Sequence, residues 1–413
     1  MDESKRFVTG LDVGTENVRA VIASINKNGE LAVVGYNEGK SAGMRKGVPA
    51  NLTGPAESID RMLGEAERMG GYEVRDAYVS VNGAQILSTK TEGMIAIGTV
   101  EHEVNGADLD RVESVAVTGR IPANRDVLNV VPLEYALDGQ AGIKDPIGMS
   151  GARLEMRANV VSALTPNCEN LKKATLTADV RAERLVPAVV AAARAVLSER
   201  QKENGVAVVD LGAATTSVAV YEEGDLQFVG VVPAGANNIT NDLAIVLAID
   251  PEMAEDIKTK FISADFGSEK DNLIRIGKEG KGERVFERKE VEDVVRARLE
   301  EIFGEIRKKL KSAKYDQRLP EGIILTGGGA NLRDIDIFAK KALEASVKIG
   351  VPTGLGGVSE SIEKPEFATA VGLALIGSED FQREFPAGKK SSKLPKMGGK
   401  KGPGFFKRIF SKF

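Results

Sequence analysis

Apolar and polar positions alternate with a period of two over residues 7–12, 18–25 and 31–36, which predicts three consecutive strands. From Ala56 to Met69 the period becomes helical, and Ala77–Val81 returns to strand. About two hundred residues later the order recurs. Val206–Val209 leads into a small-residue hairpin, Ser217–Tyr221, the turn Glu222-Glu223-Gly224-Asp225, and Leu226–Val231. Two halves built on one plan follow from this echo, which is one of structure more than of sequence.

Between the halves, residues 83–164 read as a compact α+β insert. Its expected strands lie near Ile95–Thr99, Val127–Pro132 and Arg153–Ala163, and its helix over Ala107–Thr118. Residues 1–82 and 165–204 then form the first lobe, and 205–241 with 319–383 the core of the second. Residues 242–318 form a mostly helical outer part, interrupted by a polar loop at Gly277–Glu283 between short strands. Its helix Val291–Lys311 carries mixed charge, by default a solvated face. From Pro386 the chain turns to Gly, Lys, Ser and Pro, too polar to fold, so 384–403 is expected to be a flexible linker.

Residues 404–413 break that pattern. On a helix, Phe405, Phe406, Ile409, Phe410 and Phe413 share one arc of about 140°, with Lys407, Arg408, Ser411 and Lys412 opposite. Ten residues are too short to cross a bilayer, so the segment reads as an amphipathic anchor lying on an anionic membrane surface.

Composition narrows the chemistry. At 413 residues and 42% apolar, the chain has room for more than one core. The single cysteine, Cys168, excludes an internal disulfide and fits a reducing compartment, where a lone thiol is most often a small core residue. The single histidine, His102, sits among acids in a turn expected to be solvated, which leaves no multi-histidine metal site. The N-terminus has no signal-peptide pattern and no run is long enough to span a membrane, which predicts a cytoplasmic protein. Net charge is −4, although residues 385–413 hold nine Lys and Arg and no acid: an acidic body with a basic tail. Nucleic acid is not among the expected partners.

Two hairpins carry the candidate chemistry: Gly10-Leu11-Asp12-Val13-Gly14-Thr15 and Asp210-Leu211-Gly212-Ala213-Ala214-Thr215. Taken singly, each is an ordinary turn. Taken together with Leu325-Thr326-Gly327-Gly328-Gly329-Ala330, they describe two facing lobes that clamp a nucleotide. Small residues let backbone N–H groups approach phosphate oxygens, while Asp12 and Asp210 stand where they hold the hydration shell of Mg²⁺. The third segment faces the sugar and α-phosphate. A bulky residue at Gly14 or Gly328 is therefore expected to block binding and leave the protein folded.

These three motifs resemble those of the actin, sugar-kinase and heat-shock-chaperone ATPase superfamily. The stretch Leu128-Asn129-Val130-Val131-Pro132-Leu133-Glu134-Tyr135-Ala136-Leu137-Asp138-Gly139-Gln140, continuing to Gly151, narrows the resemblance to the bacterial FtsA family. It covers about residues 6–380, and the terminal helix in kind. The resemblance implies an α/β, actin-like two-lobed ATPase fold with an inserted α+β domain and a C-terminal amphipathic helix. It implies ATP and Mg²⁺ as ligands, with Gly10, Asp12, Gly14 and Thr15 in the first phosphate loop and Asp210, Gly212 and Thr215 in the second. Glu255 and Lys258 would flank the adenine, and Gly327, Gly328 and Gly329 the adenosine.

The implied role is to tether filaments of the tubulin-like division protein FtsZ to the inner membrane, as a peripheral protein on its cytoplasmic face at the division site. Head-to-tail self-association accompanies that role, and Arg298 and Glu301 match positions near the docked FtsZ C-terminal peptide. A PilM-like scaffold of pilus assembly and a small-molecule kinase of the same superfamily are the alternatives. Where the second loop of the family often has glycines and a later aspartate, this chain has Ala213, Ala214 and Ser217. An alanine forced to positive φ would strain the loop by about 1 kcal/mol, and the lost carboxylate points to slow or absent hydrolysis.

Overall fold

The computed structural model describes residues 6–26, 30–278, 281–315, 318–357 and 360–384. The chain opens with the antiparallel meander β1 (Arg6–Val13), β2 (Asn17–Ile25) and β3 (Leu31–Lys40). A short ladder of β4 (Met44–Arg45) and β5 (Val48–Pro49) leads to α1 (Thr53–Gly70) and then β6 (Asp76–Val81), which pairs parallel to β1. Helix α1 lays Ile59, Met62, Leu63 and Ala66 on this sheet and ends at Gly71 in the left-handed region, a position that suits glycine.

The insert follows as β7 (Leu87–Ala96), α2 (Gly106–Val117), β8 (Arg125–Leu137), β9 (Gln140–Ile143) and β10 (Arg153–Leu164), with sheet order β7-β10-β8-β9. The expected helix is present, started by a capping box in which Asn105 and Asp108 satisfy each other's backbone N–H groups. The first strand lies earlier than the expected Ile95–Thr99. Its Ser-Thr-Lys-Thr-Glu run is polar because β7 is an edge strand, and Gly93 is small because α2 crosses it there: a Cβ would stand 2.5 Å from Val112 O.

The chain returns through α3 (Thr165–Thr177), β11 (Arg181–Pro187), α4 (Ala188–Val196) and α5 (Glu199–Asn204). Cys168 is buried in the core, as expected, and burial pushes its thiol up to about 11. The second half repeats the meander as β12 (Val206–Leu211), β13 (Thr216–Glu222) and β14 (Asp225–Val232). Next come α6 (Ala236–Val246), α7 (Pro251–Phe261), the ribbon β15 (Leu273–Lys278) and β16 (Lys281–Glu287), and α8 (Arg288–Ser312). The chain then adds β17 (Ile323–Thr326), α9 (Ile335–Leu343), β18 (Val347–Ile349), β19 (Gly356–Gly357) and α10 (Ala368–Glu384).

The two large sheets read β11-β6-β1-β2-β3-β19 and β18-β17-β12-β13-β14. In each, a three-strand meander adds two parallel strands on the side of its first strand, so the duplication expected from the pattern is one of topology. This is the actin-like two-lobed plan with a domain inserted within the first lobe, between β6 and β11. Helix α10 closes over β1, and Gly10 is small for that reason: its Cβ would lie 2.1 Å from Ala370 O.

The insert also rests on the second lobe. Leu133 and Val161 share an apolar cluster with Leu226, Val229 and Val231. Across this seam Asn159, fully buried, donates from Nδ2 to Leu226 O at 2.8 Å, and Lys144 Nζ reaches Asp225 at 2.8 Å and Glu223 at 3.0 Å. The linker and the terminal amphipathic helix, with Phe405, Phe406, Ile409, Phe410 and Phe413, lie outside the described residues. No described helix is long and apolar enough to cross a membrane.

Candidate functional site

The two hairpins face each other across a cleft at the ends of β1 and β12. Each is closed by one short-range bond, Gly14 N to Asn17 O at 3.1 Å and Gly212 N to Thr215 O at 3.0 Å. A Cβ on Gly14 would stand 2.6 Å from Asn17 O, and one on Gly212 would stand 2.8 Å from Thr215 O, so both glycines are required by the turn itself. The expectation that Gly14 tolerates bulk is corrected on this ground. Ala213 and Ala214 are absent from the residues with positive φ, so the strain anticipated for them does not arise.

Asp12 is buried at the end of β1, where Ser80 Oγ donates to its Oδ1 at 2.7 Å; burial raises its pKa, with the Arg19 charge opposing. Asp210 is pushed up to about 7, first by burial and then by the nearby Asp12 charge. Two buried carboxylates that resist ionisation, Asp12 through burial and Asp210 through burial and the Asp12 charge, are chemically suited to sharing a divalent cation. Around them lies a cavity of about 310 Å³.

Asp12, Gly14, Thr15, Asp210, Gly212, Thr215, Glu255, Lys258, Gly327, Gly328 and Gly329 all line this cavity, whereas Gly10 lies within β1 under α10 and does not. The glycines of the third segment have separate duties. Gly327 has φ +85° and seats Asp210, whose Oδ1 would be 2.2 Å from its Cβ; Gly329 makes room for Leu211. Gly328 faces open space, with Glu366 Cβ the nearest atom to its ideal Cβ at 4.0 Å. It is the position where the backbone is laid bare to the cavity.

Deeper in the cleft, Lys258 is buried and paired with Glu255 at 2.6 Å, and Thr240 bridges them by donating to Glu255 Oε2 at 2.6 Å and accepting from Lys258 Nζ at 2.9 Å. The cavity is further lined by Glu16, Arg19, Asn82, Asn237, Glu366 and Thr369, none of which the sequence reading singled out. Arg19 was within reach of it, since the hairpin register places Asp12 opposite Arg19.

Arg298 and Glu301 lie elsewhere, on α8. Arg298 forms a fork with Asp242 of α6 at 2.6 and 3.0 Å and bonds Glu301 at 2.6 Å. One turn beyond Asp242, Ile245 is 77% exposed, with Val246 beside it. His102 is not simply solvated: its Nε2 lies 2.9 Å from Asp108 Oδ2, in the capping box of α2. Among the described residues no group of three or more His, Cys, Asp and Glu side chains is arranged to hold a metal ion.

Comparison with known proteins places this geometry. Residues 207–372 match the family model for cell division protein FtsA, and residues 83–162 match the SHS2 domain inserted in FtsA, close to the insert expected at 83–164. The chain is 32% identical to cell division protein FtsA of Pseudomonas aeruginosa over 377 residues, 91% of this chain and 90% of that one. It is 30% identical to the FtsA of Escherichia coli K12 over 385 residues, 91% of each. Among solved structures, a PilM–PilN type IV pilus biogenesis complex superimposes with a TM-score of 0.66 at 18% identity, covering 90% of this chain and 98% of the other. MreB5 of Spiroplasma citri bound to ADP gives 0.56 at 14% identity, covering 93% and 99%. At those identities the two structures establish the shared actin-like fold, and the relatives in sequence establish the family: the chain belongs to the FtsA family of cell-division proteins.

Proposed function

We propose that the protein binds Mg-ATP in the cleft, assembles head to tail, and tethers FtsZ filaments to the cytoplasmic face of the inner membrane at the division site. The observation that carries the nucleotide part is the pairing of Asp12 with Asp210 across a cavity walled by bare backbone at Gly328. When bound, Mg²⁺ supplies charge neutralisation for the phosphates, and Asp12 and Asp210 are the groups to hold its water shell. Ser217, buried in the cavity wall where the family often has a carboxylate, supports slow or absent hydrolysis, with nucleotide acting as a state marker.

For the FtsZ peptide, exposed Ile245 and Val246 beside the Arg298–Asp242–Glu301 fork form an apolar centre with a charged rim, the anatomy of a peptide-docking patch. For the membrane, the terminal arc of four phenylalanines and Ile409 with its basic flank supplies the anchor, and a filament displaying many such anchors gains avidity over a monomer. The pilus-scaffold alternative is supported by fold alone, whereas the relatives in sequence are division proteins. The kinase alternative gains nothing from the tail.

Flotation with anionic vesicles and FtsZ tests the reading. The intact chain should carry FtsZ to the lipid fraction in the presence of Mg-ATP, and removal of 404–413 should leave both in solution while ATP binding persists. Co-flotation of FtsZ with the truncated chain would refute the tether.

A further inference from the structure

One side chain at the rim of the cleft is divided between the two lobes. Glu16 follows Thr15 at the tip of the first hairpin. Its Oε1 lies 2.5 Å from Lys40 Nζ at the end of β3, on its own lobe, and its Oε2 accepts from Asn237 Nδ2 at 2.5 Å, in the first turn of α6 on the other lobe. The backbone is fixed at both ends of this link. Ser41 N donates to Glu16 O at 2.9 Å, and Asn237 N donates to Ala213 O, in the second hairpin, at 2.8 Å.

The side chain therefore joins one phosphate hairpin to the corner that carries the other. Against burial, which opposes ionisation, the Lys40 ammonium and the Asn237 amide hold the Glu16 carboxyl below its usual range, so it stays an anion and an acceptor. Glu16, Asn237 and Lys258 line the same cavity.

We propose that Glu16 is a positioning residue that clasps the cleft, setting the separation of the lobes and hence the lifetime of bound nucleotide. The proposal rests on the nucleotide reading above. An exposed ion pair such as Glu16–Lys40 is worth little by itself. The Asn237 arm differs because it is charge-assisted and because it spans two bodies that must part for a ligand to leave. Its loss should appear in the release rate rather than in the association rate.

The test uses the full-length chain. Spin labels at Glu57→Cys on α1 and Glu252→Cys on α7 report the distance between lobes without nucleotide, and a fluorescent ATP analogue reports release. Glu16→Ala and Asn237→Ala should each widen the distance distribution and speed release about fivefold. The double variant should do no more than either alone, because both remove one bond. Glu16→Gln keeps an acceptor for the Asn237 amide and should restore the distances and most of the lifetime. Unchanged distances, or effects that add in the double variant, would overturn the clasp. If the parent chain binds no nucleotide, the nucleotide reading fails, while the spin-label distances still decide whether Glu16 holds the lobes together.

Discussion

Two of the seams along which the halves of this molecule meet are of opposite character. At the cleft they face each other with small residues, Asp12 and Asp210, and polar links such as Glu16–Asn237, and the seam encloses about 310 Å³. Beneath the insert they share apolar surface: Leu133 and Val161 fall in one cluster with Leu226, Val229 and Val231, and Asn159 and Lys144, which reach across, are paired. Polar contacts exchange for water or a ligand at small net cost, whereas separated apolar surface must be rehydrated. On the proposed function, the contrast makes the cleft the seam to admit a ligand and the insert the seam to stay shut.

The largest effect is expected from Gly328→Val. Its Cβ has space in the empty cleft, so the fold survives, while the isopropyl group takes up room required by a ligand. Nucleotide affinity should fall at least about a hundredfold, roughly 3 kcal/mol, at an unchanged melting temperature. Gly14→Val is no substitute, since its Cβ collides with Asn17 O inside the hairpin. Calorimetry showing parental affinity would mean that the ligand does not lie against this loop.

Within the insert, Glu113 is buried on α2, its Oε2 has no hydrogen-bond partner among the described residues, and burial, with Asp110 adding, pushes its carboxyl from 4.5 to about 7. The folded state thus keeps a proton that the unfolded chain releases. Stability should fall as pH rises from about 4.5 to about 7 and then level off, with a total penalty of roughly 3 kcal/mol. Glu113→Gln removes the penalty, so urea unfolding should show a gain of that order at pH 8 and little at pH 4.5. An equal gain at both pH values would exclude ionisation as the cause.

Asn159→Ala comes next. It leaves Leu226 O and Ser88 Oγ without their partner in a closed seam, at a cost of about 2 kcal/mol in unfolding free energy. Nucleotide affinity should not change. A parallel loss of affinity would show that the two seams move as one.

How much of this was legible in sequence follows the same contrast. The cleft announced itself because its signals are local: two hairpins that set small residues beside Asp12 and Asp210, and a third run of small residues at Gly327–Gly329. The duplicated meanders and the capped helix α2 were legible for the same reason. The insert seam was not. Asn159 and Leu226 are 67 positions apart and look like any strand asparagine and any strand leucine until the topology joins them. The Glu16–Asn237 link, across 221 positions, was invisible on the same ground. Gly10 misled because one residue type serves two needs: a bare backbone for phosphate and a close approach for α10 look identical in sequence.

The smallest effect separates the forces within the insert seam. Lys144 reaches the same turn as Asn159, but its side chain is 41% exposed and its partner Glu223 lies at the surface, while its other partner, Asp225, is buried. If apolar packing holds the seam shut, the ion pairs only trim its edge, and Lys144→Ala should cost about 1 kcal/mol, chiefly through buried Asp225, with the Glu223 share falling in high salt as the charges are screened. A loss as large as that of Asn159→Ala, abolished by salt, would mean that the insert is held by charge. The seam would then be exchangeable in the same way as the cleft, and the distinction between a seam that opens and one that stays shut would have to be given up.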